Sequence, residues 1–322
     1  MTSDSKPYSG EQSNAAPLPA GGPNPPRSPD PEPDALPEAA PAGESLARDA
    51  WRRLSQNRAA MASLALLIAI IVMCIVGPCL PWGLAEVDWN AFGTGPTLEN
   101  AHFLGTDANG RDLLTRVLYG GRVSLSVALV ASFVSLVIGV LYGAISGYLG
   151  GRVDNLMMRF VDIMYSLPFM FLVILLMVVF GRNIFLIYAA IGAVEWLDMA
   201  RIVRGQTLAL KRREYIEAAH ALGVRDSKIV TRHLIPNAIG PVIVYVTLTV
   251  PKVILLESFL SFLGLGVQEP LTSWGVLISE GVSMMEGSPW MLLVPSAFLA
   301  VTLFCLNFLG DGLRDALDPK TR

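Results

Sequence analysis

Charge is scarce in this sequence: Asp, Glu, Lys and Arg make up 16% of 322 residues, 52% are hydrophobic, and mean hydropathy is +0.50. A soluble domain breaks its apolar runs with more charge than this, so the bilayer is the expected solvent. Cysteine and histidine are also few, three of each. Cys74, Cys79 and Cys305 sit in apolar runs without disulfide or metal spacing and read as buried, inert thiols. His102, His220 and His233 are scattered and offer no metal cluster. No basic patch interleaved with aromatics points to nucleic acid. There is no G-x-x-x-x-G-K-[ST] phosphate loop, G-x-S-x-G elbow or H-E-x-x-H pair, so neither ATP hydrolysis nor membrane hydrolase chemistry is assigned to this chain.

What charge there is falls unevenly. Of the net −3, residues 1–43 carry −4 and the rest +1. That first stretch also holds eleven of the 22 prolines and almost no large apolar side chains, so it reads as a disordered tail. It is no signal peptide, because the first apolar run begins near Ala59 and no charged start precedes it closely; that run reads as a retained anchor. Residues 44–58 place Leu46, Ala50, Trp51 and Leu54 near one helical face and Arg48, Arg52, Arg53 and Arg58 elsewhere. Two readings stand: an amphipathic helix on the membrane surface, or a basic flank that orients the first span.

At about 1.5 Å per residue, six stretches are long enough to cross about 30 Å of hydrocarbon. They lie near 59–80, 122–149, 161–180, 184–201, 237–260 and 290–310, the third and fourth joined tightly by Gly181, Arg182 and Asn183. The loop from 202 to 236 with its leading Arg201 is rich in Lys and Arg, namely Arg201, Arg204, Lys211, Arg212, Arg213, Arg225, Lys228 and Arg232. Residues 261–289 carry Glu269, Glu280 and Glu286 and no Lys or Arg. The positive-inside rule then puts both termini, including 311–322, in the cytoplasm and the segments 82–121 and 261–289 outside. An all-α polytopic membrane protein of six spans is expected.

The 35-residue cytoplasmic loop 202–236 is the most informative segment, since a polar connection of that length usually has a task. Tyr215, Ala218, Ala219 and Leu222 recur at helical spacing, and Gly223 supplies a stop that can take a positive φ. Asp226 and Ser227 can cap a second helix limited by Pro236. Helix, turn, helix is one reading; a solvated linker is the other.

The order Glu217-Ala218-Ala219, three residues, Gly223, nine residues, His233-Leu234-Ile235-Pro236 resembles the EAA loop of permeases from binding-protein-dependent ATP-binding cassette (ABC) importers. His233 replaces the usual apolar residue. The segments HFLGTDANGRDLLTRVLYGGRVSL (102–125), ESFLSFLGLGVQEPLTSWG (257–275) and the terminal NFLGDGLRDALDPKTR are similar to the C-type permeases of oligopeptide and dipeptide systems. The resemblance runs from Trp51 to Arg322. It implies a type I, MetI-like core of five helices within 122–310, preceded by one extra helix.

The resemblance further implies a coupling role for Tyr215, Glu217, Ala218, Ala219, Gly223, Ile235 and Pro236. Glu217 would hold polar contacts to a cytoplasmic ATPase, Ala218 and Ala219 would allow close packing, and Gly223 would make the bend. The implied partners are a second, non-identical permease, two ATP-binding subunits carrying ATP and Mg, and an external solute-binding protein, in a bacterial inner membrane with a peptide as cargo. No cofactor is expected on this chain. Dipeptides, nickel and glutathione are alternative cargoes. The outer stretches Leu104–Arg116 and Gly264–Gly275 are candidates for the binding-protein surface, while some of Trp82, Trp89, Trp274 and Trp290 are interface anchors.

Gly139, Gly143 and Gly147 form overlapping G-x-x-x-G units that let backbones approach closely, against a helix of this chain or of a second permease. Glu195 and Asp198 read as ion partners of Arg201 and Arg204, and Asp162 as a partner of Arg159. Lys252 and Glu257 either line the substrate path or serve structure, and their spacing does not favour a same-face bridge. A secondary transporter would carry broken helices or a buried acid and histidine relay at the midplane, and a channel would carry a filter; none is evident.

Overall fold

The computed structural model describes residues 46–317 except Arg182; the Pro-rich tail lies outside the described residues. Within them the backbone is helical, with no strand beyond one isolated bridge between Thr106 and Asp112. The α-helices in order are α1 (Leu46–Gln56), α2 (Arg58–Val76), α3 (Leu113–Leu149), α4 (Gly151–Ser166), α5 (Phe169–Phe180) and α6 (Ile184–Lys211). There follow α7 (Glu214–Ala221), α8 (Asp226–Ile229), α9 (Ile235–Phe262), α10 (Trp274–Ser283) and α11 (Trp290–Leu317).

Local chemistry sets several boundaries away from those expected. The second span begins at Leu113 rather than near 122, because the Asp112 carboxylate caps it by accepting from the Thr115 N–H at 2.8 Å. α6 continues to Lys211, ten residues past the end expected for the fourth span, so the connection to α7 starts only at Arg212. The first ends at Val76 and closes with a 3₁₀ turn, Gly77–Cys79. The stretch 161–180 is not one straight span. Pro168 disfavours helical backbone at Leu167, which is extended (φ −80°, ψ 123°), and α4 and α5 meet at 79°. A broken segment therefore exists where the apolar run alone suggested none.

Among the described residues, four helices are long and apolar enough to cross a membrane: α2, α3, the continuous helix from Asp226 to Phe262, and α11. The bent α4/α5 pair makes a fifth if it counts as one span. α6 is 28 residues long but carries Glu195, Asp198, Arg201 and Arg204 along its length.

Packing centres on α3 against α6, with α9 laid across both and α11 bridging α2, α9 and α10. One core gathers Ile70, Val117, Val127, Ile187, Ile191, Ile254 and Trp274. Gly139, Gly143 and Gly147 of α3 face α6 of the same chain. A Cβ on Gly139 would stand 2.5 Å from Met199 Cβ, and one on Gly147 2.8 Å from Thr207 Cβ. One on Gly143 would strike the Ala200 carbonyl oxygen. The α1 helix buries Ala50 and Leu54 against Ala60 and Ala316, while Trp51, expected on the same face, is exposed. Cys74 and Cys305 are buried as expected, but Cys79 is exposed, because it lies in the turn beyond α2 and not within an apolar span.

Candidate functional site

Two residues, Arg212 and Arg213, separate α6 from α7, so the short helix is held close to the end of the bundle. Ile216 and Ala219 are its buried side, set among Tyr148 of α3, Met199 and Val203 of α6, and Ile229, Val230 and Leu234 beyond the turn. Tyr215, Glu217, Ala218, Leu222 and Gly223 face outward. Ala218 is thus available to a neighbour, whereas Ala219, expected to share that role, packs the helix onto its own chain. Leu222 is 83% exposed, the knob of the module.

The turn closes by a paired capping pattern. Gly223 N–H donates to the His220 carbonyl at 3.0 Å and Val224 N–H to that of Ala219 at 3.1 Å, with Gly223 at φ +74°. This is the Schellman arrangement, in which a left-handed residue after the cap satisfies the last carbonyls, and glycine takes it without Cβ strain.

A polar bracket fixes the turn from beneath. The Tyr148 hydroxyl donates to Asp226 Oδ1 at 2.6 Å and accepts from His220 Nε2 at 3.0 Å. Asp226, expected to cap the second helix, is engaged in this bracket instead, and Arg225 occupies the cap position without a side-chain bond. Lys211 Nζ donates to the Tyr148 carbonyl. Nearby, Arg204 grips Asp154 through two bonds of 2.6 Å, and Ser146 donates to the same carboxylate.

Pro236 does not end the second helix. α8 runs through a π-helical stretch, Val230–Leu234, into α9, and the Ile235 N–H reaches back to the Val230 carbonyl. The wider π turn accommodates the missing proline donor, so Asp226–Phe262 is one 37-residue helix. Pro236 is exposed and Ile235 half-buried at its base.

Charged residues farther along the helices pair differently from the sequence expectation. Lys252 reaches Glu195 at 3.1 Å and Asp198 at 3.2 Å. Arg201 pairs with Asp162 at 2.8 Å, because α6 rather than α4 supplies the cation. Glu257 is fully buried and accepts from Ser124 at 2.8 Å and Ser261 at 2.6 Å, far from any bridge to Lys252.

At the opposite end from α7, the segment before α3 is tied to the α9–α10 region by ions that sequence reading overlooked. Buried Arg116 contacts Asp107 at 2.6 Å and grips Glu280 at 2.6 and 3.0 Å. Arg111 links Asp107 at 2.7 Å to Glu269 at 2.9 Å. Buried His102 stands between Asp112 (3.0 Å) and Asp88 (3.3 Å) and stacks on Trp82. The Asn90 backbone N–H, with help from His102, holds the Asp88 carboxyl below its ordinary value. The four-residue step from Asp107 to Arg111 and the acid directly before LLTRVL were the signals available.

A bundle with several helices long and apolar enough to cross a membrane, and a short helix and turn packed at one end, has the build of an integral-membrane subunit. A family model described as "Binding-protein-dependent transport system inner membrane component" matches residues 139–322, and one described as "N-terminal TM domain of oligopeptide transport permease C" matches residues 45–96. The chain belongs to the family of binding-protein-dependent transport system inner membrane components. It is 58% identical over 281 residues to the oligopeptide transport system permease protein OppC of Haemophilus influenzae, covering 87% of this chain and 90% of that one. The Escherichia coli OppC is 59% identical, covering 87% and 93%. The dipeptide transport system permease protein DppC of Bacillus subtilis is 45% identical, covering 86% and 87%. In fold, the chain is similar to the inward-facing MetNI methionine ABC transporter, with a TM-score of 0.52 at 19% identity over 64% of this chain and 96% of that one.

Proposed function

We propose that this chain is the permease subunit of an ABC importer and forms half of the translocation pathway for oligopeptides across a bacterial inner membrane. The observation that carries the reading is near-full-length identity of 58–59% to oligopeptide permeases, against 45% to the dipeptide permease. In this reading ATP and Mg are bound by two separate ATPase subunits, a second, non-identical permease completes the pathway, and an external binding protein delivers the peptide. Both termini face the cytoplasm.

The α7–α8 module is where the ATPases act on the chain. Glu217 offers an exposed carboxylate, Ala218 a flat surface for close approach, and Tyr215 and Leu222 apolar contact, while Gly223 holds the face in shape. Ile216 and Ala219 anchor the module inward, so a push on α7 moves α6 and α9 with it; the support is the buried packing beneath it.

The test is mass spectrometry of everything that co-purifies with the tagged chain from its native membrane in mild detergent, repeated with Glu217→Arg and Gly223→Leu. A second permease and phosphate-loop ATPases should accompany the wild-type chain, and the ATPases should be lost from the variants. Recovery of a homo-oligomer alone would refute the reading.

A further inference from the structure

Three charged residues lie deep in the membrane-spanning part. Lys252 is ten residues from the end of α9, and Glu195 and Asp198 are 11 and 14 residues into α6. At about 1.5 Å per residue, Lys252 is about 15 Å from the end of a helix long and apolar enough to cross about 30 Å of hydrocarbon. Glu195 and Asp198, within the span expected at 184–201, stand at its level through their contacts with it. The ammonium of Lys252 divides itself between Glu195 Oε2 at 3.1 Å and Asp198 Oδ2 at 3.2 Å, leaving the trio one unit negative.

Exposure separates the members of this trio. The Glu195 side chain is 2% exposed and its charge is held by Lys252. Lys252 is 53% exposed and Asp198 37%, and Lys252 is the one ion-pair partner of Asp198 among the described residues. Arg201, the next cation along α6, is taken by Asp162. Half-exposed charges at this depth cannot face acyl chains without a large insertion penalty.

We propose that Glu195, Asp198 and Lys252 line the path of the peptide and that Asp198 takes an ammonium group of the cargo in passing. The inference rests on the peptide-importer reading above. Every peptide with a free N-terminus has an α-amino group with an ordinary pKa of about 7.7–8.0, and lysine side chains add further cations. Lys252 neutralises buried Glu195 and so fixes the site at a single surplus charge. One surplus carboxylate attracts a cation without retaining it, as a transport path requires.

The experiment uses the complete transporter in proteoliposomes, with its binding protein saturated by trilysine or by triglutamate, and compares uptake of the two. Asp198→Asn should lower the trilysine-to-triglutamate ratio about tenfold, the effect of one unit charge partly screened by an aqueous path, and Asp198→Glu should restore it. Lys252→Gln, which leaves two carboxylates, should move the ratio the opposite way. General damage to the bundle moves both variants in one direction or scales both peptides equally. An unchanged ratio, an equal loss for both peptides, or the same sign in both variants overturns the proposal. Failure of the wild-type transporter to take up either peptide, with its binding protein and ATP present, would instead overturn the importer reading beneath it.

Discussion

Gly143→Ala tests the α3–α6 seam, the most extensive helix contact among the described residues. The added methyl would strike the Ala200 carbonyl oxygen and lie 2.9 Å from the Arg204 nitrogen and 3.0 Å from Val203 Cβ. Two of these three obstacles are backbone, which cannot rotate aside, so the helices must part by about an ångström to regain ordinary contact. That separation would stretch the 2.8 Å bond from Ser135 Oγ to the Glu195 carbonyl and loosen Ala144 against Met199 and Val203. Overpacking of this kind costs about 1–3 kcal/mol. Gly205→Ala is the control: it lies on α6 with nothing within 4 Å of its added methyl, and it should gain about 0.5–1 kcal/mol from helix propensity. Thermal unfolding of the purified complex in detergent should fall by about 2–10 °C for Gly143→Ala and stay level or rise for Gly205→Ala. If Gly143→Ala unfolds no earlier than Gly205→Ala, the glycines do not serve this seam.

Three further outcomes follow from the polar locks. Arg116→Met leaves Asp107 with Arg111 alone and strips Glu280 of both its bonds to Arg116, which should destabilise the fold by about 3 kcal/mol in denaturant titration. Because the native Asp88 carboxyl titrates below its ordinary value of 3.8, its contribution is complete above that value. It should be lost as pH falls through the lower native value, read from the fluorescence of Trp82 stacked on His102. Asp88→Asn should flatten that part of the titration. Tyr148→Phe removes the hydroxyl that bridges His220 and Asp226, leaves only their direct 3.7 Å contact, and should weaken the α7 turn by about 1–3 kcal/mol. Hydrogen exchange across 214–226 should quicken while the α3–α6 seam stays protected.

The helical class and the membrane setting were legible because apolar length and charge placement are properties of the chain itself. Gly223 was legible for the same reason: a glycine after a helical repeat has one economical use. Boundaries were less so, since apolar runs record where lipid begins and not where hydrogen bonding begins; Asp112 starts α3 nine residues before the expected start. Ion pairs were misassigned wherever nearness in sequence stood in for nearness in space. Arg201 and Arg204 leave Glu195 and Asp198 for acids on α4, and Lys252 arrives from a helix more than fifty residues away. The inward turn of Ala219 depends on how α7 docks, which its own eight residues do not specify.

The helix from Asp226 to Phe262, continuous through its π-helical stretch and past Pro241 and Pro251, makes the turn after α7 and Lys252 parts of one element. Lys252 lies 26 residues on from Asp226, so the arm is about 39 Å long. A tilt of about 5° pivoting at Asp226 would carry Lys252 sideways by about 3 Å, as far again as the 3.1 and 3.2 Å contacts that hold it to α6. A rotation too small to disturb the packing at the pivot would therefore suffice to unfasten the charges at the far end.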